Sequence, residues 1–167
     1  MGDVHDTFMK GCKALDHACC VQVPVPGDFV LLSAGGHRAD GQLYQATKAL
    51  FNAVNVVKEG GRILFVAGWG QGICNPVFAQ ALTRFKQNPE ALGQRLVSDF
   101  DMPSYVALRV IDILNRFQVT LASELSREQT CKLGFNYADN INDYVKNLTG
   151  KGYIIPFAEN ILAQVKR

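Results

Sequence analysis

The sequence predicts an α/β fold: a three-layer α/β/α unit built on a mostly parallel sheet. Three observations predict it. Short apolar runs recur at residues 29–33, 63–67, 117–122 and 153–157. Stretches of helical period separate them. Glycine-rich turns close the first two runs, at Gly35-Gly36 and at Gly68-Trp69-Gly70-Gln71-Gly72. Strands buried on both faces read as continuous apolar runs. Their regular alternation with helices predicts parallel pairing and helices on both faces of the sheet.

Each element has its own signal. Residues 6–20 predict a first helix with Phe8, Cys12, Leu15 and Cys19 on one face. Pro24 and Pro26 then predict a connector or an edge, because proline cannot donate to a central ladder. Residues 41–58 predict one long helix. Leu43, Ala46, Leu50, Ala53, Val54 and Val57 form its apolar stripe, with Lys48, Asn52 and Asn55 opposite and Asp40 as N-cap. Glu59-Gly60-Gly61 is expected to end that helix. Asn75 and Pro76 open a helix through residue 85. Residues 89–98 and 103–116 follow as helices. The latter turns Val106, Val110, Ile113 and Leu114 inward. Ser126 caps a short helix ending near Gly134. Residues 141–148 read as a helix and residues 161–165 as a closing helical turn. No linker or composition shift divides residues 1–167, which read as one domain.

Composition narrows the function classes. Hydrophobic residues make up 48% and charged residues 19%, which is globular rather than disordered. A net charge of +2, with scattered Lys and Arg, points away from nucleic acid. No apolar run reaches the ~18–20 residues that span a bilayer, and no signal-peptide pattern opens the chain. The expected location is the cytoplasm. The five cysteines form no CxxC pair and no zinc spacing, so no metal site is expected. Buried free thiols are the simplest account, with one of Cys19 and Cys20 buried and the other peripheral.

The chemistry concentrates after the first buried run. There the chain reads Gly35-Gly36-His37-Arg38-Ala39-Asp40, then Leu43-Tyr44-Gln45-Ala46-Thr47-Lys48. A strand ending in paired glycines and feeding a helix is where open α/β sheets place ligands. Gln45 and Lys48 stand three residues apart, so their amide and ammonium share one helix flank. Together they suit a carboxylate or a hydroxy acid, although Lys48 also fits a solvated helix face. His37 is the histidine nearest this turn; His5 lies near an end of the chain and His17 in the first helix. Trp69 and Tyr105 fit either packing or an apolar wall. The second turn reads G-x-G-x-G, not the G-x-G-x-x-G of dinucleotide binding, and no acid follows a strand at the required distance. NAD or S-adenosylmethionine binding therefore remains a weaker reading.

The segment from Gly35 to Lys48 resembles the C-terminal domain of nickel-dependent lactate racemases and related 2-hydroxyacid racemases and epimerases. Collinear matches extend it: Gly2-Asp3 with Gly11, Glu59-Gly60-Gly61 before Ile63-Leu64-Phe65-Val66-Ala67, and Lys132-Leu133-Gly134-Phe135 with Ala138. The resemblance implies a two-domain isomerase with its active site between the domains. It implies that Gln45 and Lys48 bind and orient a 2-hydroxyacid, with Tyr44, His37, Gly35, Gly36 and Tyr105 as further substrate-site residues. It also implies a nickel-pincer nucleotide held by an N-terminal domain, in cis or in trans, which supplies the acid–base histidines. No catalytic residue and no bound cofactor is then expected in this chain, which alone would be inactive. Arg38 stands where the family pattern carries proline. A non-catalytic small-molecule-binding module is the reading from a different class.

Overall fold

The computed structural model describes residues 2–166, apart from the side chain of His37. In chain order the elements are α1 (Val4–Cys19), β1 (Cys20–Val23), β2 (Gly27–Ser33), α2 (His37–Asp40), α3 (Leu43–Ala53), a 3-10 turn (Val54–Val56) and β3 (Val57–Val66). They continue as α4 (Pro76–Phe85), α5 (Pro89–Ser98), α6 (Met102–Arg116), β4 (Gln118–Ala122), α7 (Arg127–Lys132), β5 (Asn136–Tyr137), α8 (Ile141–Lys146), β6 (Gly152–Ile155) and β7 (Leu162–Val165). The fold is α/β. A five-stranded sheet runs β5-β4-β3-β2-β6, and β1 pairs with β7 beside it. Every pairing among the described strands is parallel.

Register builds the core. Val30, Ile63 and Val119 align across the sheet, and so do Leu32, Phe65 and Leu121. Tyr153 and Ile155 extend the two rows on β6. All six residues on β2, β3 and β4 are buried, as the apolar runs predict. Each fully buried large side chain contributes about 1.5–3 kcal/mol of transfer free energy. Connections from β2 through β5 step in one direction across the sheet. Right-handed crossovers therefore put α3, α6 and α7 on one face, and the return from β5 to β6 carries α8 over the other. Asn75 and Ser126 accept from the first turns of α4 and α7 as expected, and Asn88 and Asp101 do the same for α5 and α6.

Several expectations are corrected by the structure. The predicted helix over residues 41–58 is shorter than expected: α3 spans Leu43–Ala53, a 3-10 turn follows, and Val57 already belongs to β3. Ahead of it, the carbonyls of Asp40 and Gly41 accept from Trp69 N–H (2.6 Å) and Gln71 N–H (3.1 Å), and Leu43 N–H donates to Gly72 (3.2 Å). Those bonds end α2 and restart the chain as α3. Asp40 consequently lies inside α2 rather than capping α3, whose N-cap is Gln42. Glu59-Gly60-Gly61 belongs to β3, where the register shifts against β2. A Cβ on Gly61 would sit 2.6 Å from Val57 Cγ1, so this irregularity needs glycine. Residues 162–165 form a strand, not a helical turn, because β1 offers them an edge. The apolar stripe of α1 faces outward: Phe8 is 67% and Leu15 63% exposed. Cys74 and Cys131 are exposed and Cys12, Cys19 and Cys20 half-buried, so the thiols are not core residues.

Asp40 also carries a buried carboxyl oxygen, Oδ1, without a hydrogen-bond partner. Desolvation raises its pKa, against the opposing pull of the Gly36 and Gly35 backbone N–H groups. The folded chain thus holds this proton more tightly than the unfolded chain. Stability falls as pH climbs from the usual carboxyl range through the raised folded value, and the penalty then stays constant. Asp40→Asn is expected to remove that slope. The gap in Tm between Asp40→Asn and the unchanged protein should widen as pH rises from acid to neutral; a gap independent of pH would contradict the assignment. Phe65→Ala empties the centre of the core and should cost about 3–5 kcal/mol, read from urea unfolding as a lower midpoint at unchanged slope. A loss under ~1 kcal/mol would show that this row is not the core.

Candidate functional site

Across the sheet, β2 is where the strand order reverses. Its connection leads to β3 on one side, while β6 lies on the other. Open α/β sheets place ligands in the crevice beyond the carboxyl ends of such a pair. The two strand ends are joined there. Ala158 N–H donates to Ser33 (3.0 Å) and Glu159 N–H to Ala34 (3.1 Å). Asn52 on α3 donates to the carbonyls of Ala158 (2.9 Å) and Glu159 (3.0 Å). The turn after β6 is thereby fastened to the helix after β2.

An open cleft of about 610 Å³ lies in this crevice, lined by Gly35, Arg38, Ala39, Gln45, Lys48, Glu159 and Asn160. Gly35 and Gly36 have φ of 132° and 93°, a region that favours glycine, and they turn the chain from β2 into α2. Gln45, Lys48 and Asn52 follow the i, i+3, i+7 spacing of one helix flank. The Lys48 ammonium stands 3.8 Å from the Glu159 carboxylate, with side chains 58% and 29% exposed. An ion pair this open is worth ~0–1 kcal/mol, so it leaves Lys48 available to a ligand. Arg38 takes part in none of the ion pairs among the described residues.

The cleft thus brings together Gly35, Gln45 and Lys48 of the residues named from sequence. Gly36 precedes α2 just outside the lining. His37 opens α2, but its side chain lies outside the described residues. Tyr44 turns its ring onto Phe78, edge to face at 5.4 Å, and so points between α3 and α4. Tyr105 packs beside Phe100 on the first turn of α6, away from the cleft lining. Trp69 is a packing residue: it is 1% exposed and meets Phe65 edge to face at 5.3 Å. Glu159 and Asn160 were missed. The available signal was a polar pair just after the fourth apolar run, the position where a parallel strand delivers ligand contacts.

The Gly68–Gly72 turn is not an open phosphate cradle. A Cβ on Gly70 would lie 3.2 Å from Glu124 Oε2, and one on Gly68 would lie 3.8 Å from Glu124 Oε1. A carboxylate therefore stands where a pyrophosphate would need N–H donors. Two of those donors, on Trp69 and Gln71, already serve α2 and its turn. A second groove of about 650 Å³ lies between α4 and α7, among Ile73, Ala79, Thr83, Arg84 and Lys132. No carboxylate or histidine borders it. Among the described residues no three His, Cys, Asp or Glu side chains gather to hold a metal, and no helix is long and apolar enough to cross a membrane.

Known proteins supply the comparison. The chain is similar in fold to the lactate racemase apoprotein from Thermoanaerobacterium thermosaccharolyticum, at 20% identity and a TM-score of 0.79. That match covers 96% of this chain and 40% of the racemase. A crystal structure of a Thermotoga maritima protein matches at 16% identity and a TM-score of 0.70, covering 95% of this chain and 42% of that one. This chain therefore spans less than half the length of either. No curated protein matches the sequence. The lactate racemase C-terminal domain family matches residues 22–151, from β1 through α8 and including the glycine turn, Gln45 and Lys48. With that match over most of its length, this chain belongs to the lactate racemase C-terminal domain family.

Proposed function

We propose that this chain is the substrate-binding wall of a 2-hydroxyacid racemase of the lactate racemase type, completed by an N-terminal domain in cis or in trans. The observation that carries this reading is the meeting of Gln45 and Lys48 in one cleft at the β2–β6 crevice. In this reading the Lys48 ammonium draws in the substrate carboxylate, and the Gln45 amide fixes the orientation through a directional hydrogen bond. Gly35, lacking a side chain, leaves the backbone open to the ligand. Glu159 restrains Lys48 without neutralising it by a close contact.

The family's nickel-pincer nucleotide supplies hydride transfer at the α-carbon when bound. The described donors of this chain do not fit it: no metal-binding cluster is present among them, and neither of the histidines on α1 lines the cleft. No step through that group is assigned to these residues. Their part is to bind the acid and hold its α-carbon toward the partner domain. The reading as a non-catalytic binding module uses the same cleft and differs only in whether a cofactor-bearing partner acts on the bound acid.

The test is reconstitution with a cofactor-loaded N-terminal domain, following exchange between D- and L-lactate and longer 2-hydroxyacids. Lys48→Ala removes a charge-assisted contact and should lower kcat/KM by roughly 10–100-fold. Gln45→Ala should cost less, because it removes a neutral hydrogen bond. Full activity in the double variant would overturn the clamp, and binding without turnover in every reconstitution would favour the non-catalytic module. Asn52→Ala leaves the clamp residues in place but frees the turn after β6. Its expected signature is a raised KM with a small fall in Tm.

A further inference from the structure

We propose that the cleft takes a 2-hydroxy acid whose side chain ends in a second carboxylate, and that Arg38 is the residue that selects it. The proposal rests on the reading of Gln45 and Lys48 as the clamp for the first carboxylate. Three observations lead to it.

The first is the charge pattern. Two cations, Arg38 and Lys48, line the cleft against one acid, Glu159. Glu159 pairs with Lys48, and among the described residues Arg38 has no ion-pair partner. Arg38 is also exposed, so its guanidinium is free to meet a ligand. The second is the supply of donors. Besides the guanidinium and the ammonium, the amides of Gln45 and Asn160 border the same space. Lactate presents three oxygen atoms and cannot use them all, whereas a hydroxy diacid presents five. The third is what the lining lacks. Beyond the backbone at Gly35, the only apolar member is Ala39. Apolar contact is what would favour a methyl or aliphatic side chain, and the lining offers it one alanine and the stems of longer polar residues rather than an apolar wall.

Arg38 suits the task by geometry. It sits on α2, while Lys48 sits on α3, so the two cations approach the cleft from different elements. A guanidinium presents a planar fork that binds a carboxylate through two parallel hydrogen bonds. The first carboxylate and the hydroxyl then remain with Lys48 and Gln45. Arg38 thus acts as a specificity-determining residue.

The experiment is an NMR titration of the 15N-labelled chain with sodium lactate and with sodium 2-hydroxysuccinate at matched ionic strength. Affinities are read from the amide shifts of residues 35–48 and 158–160. The diacid should bind about 10-fold tighter than lactate, the scale of one well-made charged pair. Arg38→Gln should bring the diacid down to the affinity of lactate and leave lactate unchanged. Arg38→Lys should restore part of the difference, since it keeps the charge and loses the fork. Equal affinity for the two acids in the unchanged chain overturns the proposal, and so does Arg38→Gln weakening both alike. Lys48→Gln separates the two readings. If it weakens both acids while Arg38 has no selective effect, only the diacid proposal fails. If it leaves both unchanged, the clamp reading fails as well, and shifts with neither acid overturn both.

Discussion

Three backbone hydrogen bonds hold the site in its shape. Trp69 and Gln71 donate to the carbonyls of Asp40 and Gly41, and Leu43 donates to Gly72. A carbonyl captured in this way cannot serve the next helical turn, so the helix after β2 has to stop and begin again. The interruption gives the cleft two independent walls. α2 carries Arg38 and Ala39, while α3 carries Gln45 and Lys48. On one continuous helix Ala39 and Lys48 would have stood on opposite faces. The same bonds lock the end of β3 to the end of β2, so the two loops form one rim.

This is also where sequence reasoning reaches its limit. The apolar runs of β2, β3 and β4 were legible, because burial on both faces leaves a continuous signal. Caps such as Asn75 and Ser126 were legible, because they act within a few residues of themselves. The short helix α2, set off from α3 by the extended Gln42, was not, since the bonds that separate the two come from the Gly68–Gly72 turn some thirty residues downstream. Glu59-Gly60-Gly61 was misread for a related reason. A glycine pair ends a helix or permits an irregular strand equally well, and the choice is made by pairing with β2. β7 looked helical because its neighbour β1 lies far away in sequence. Gln45 and Lys48 were visible as a pair through their spacing on one helix, whereas Glu159 and Asn160 reach them only through the parallel pairing of β6 with β2.

Charge in the cleft is arranged with restraint. The Lys48–Glu159 pair is long and half open to water, which suits a group that has to exchange partners. A shorter, buried pair would have tied up the ammonium and made ligand binding compete with it. Asn52 takes the structural load instead. Its two hydrogen bonds to the turn after β6 are made by a neutral amide, so the anchoring group and the charged Lys48 are different side chains on the same flank of α3.

Trp69 gives this arrangement an intrinsic optical reporter. It is the single tryptophan of the chain, almost wholly enclosed, and held at a positive φ of 57°. Its backbone N–H is one of the three bonds that divide α2 from α3, and its indole rests on Phe65. Its indole Nε1 is buried without a hydrogen-bond partner. An indole in such dry surroundings emits at short wavelength, and water reaching it shifts the emission to the red. Fluorescence of the unlabelled protein therefore reads out one local event, the opening of the rim that shapes the cleft, separately from the unfolding of distant elements such as α1.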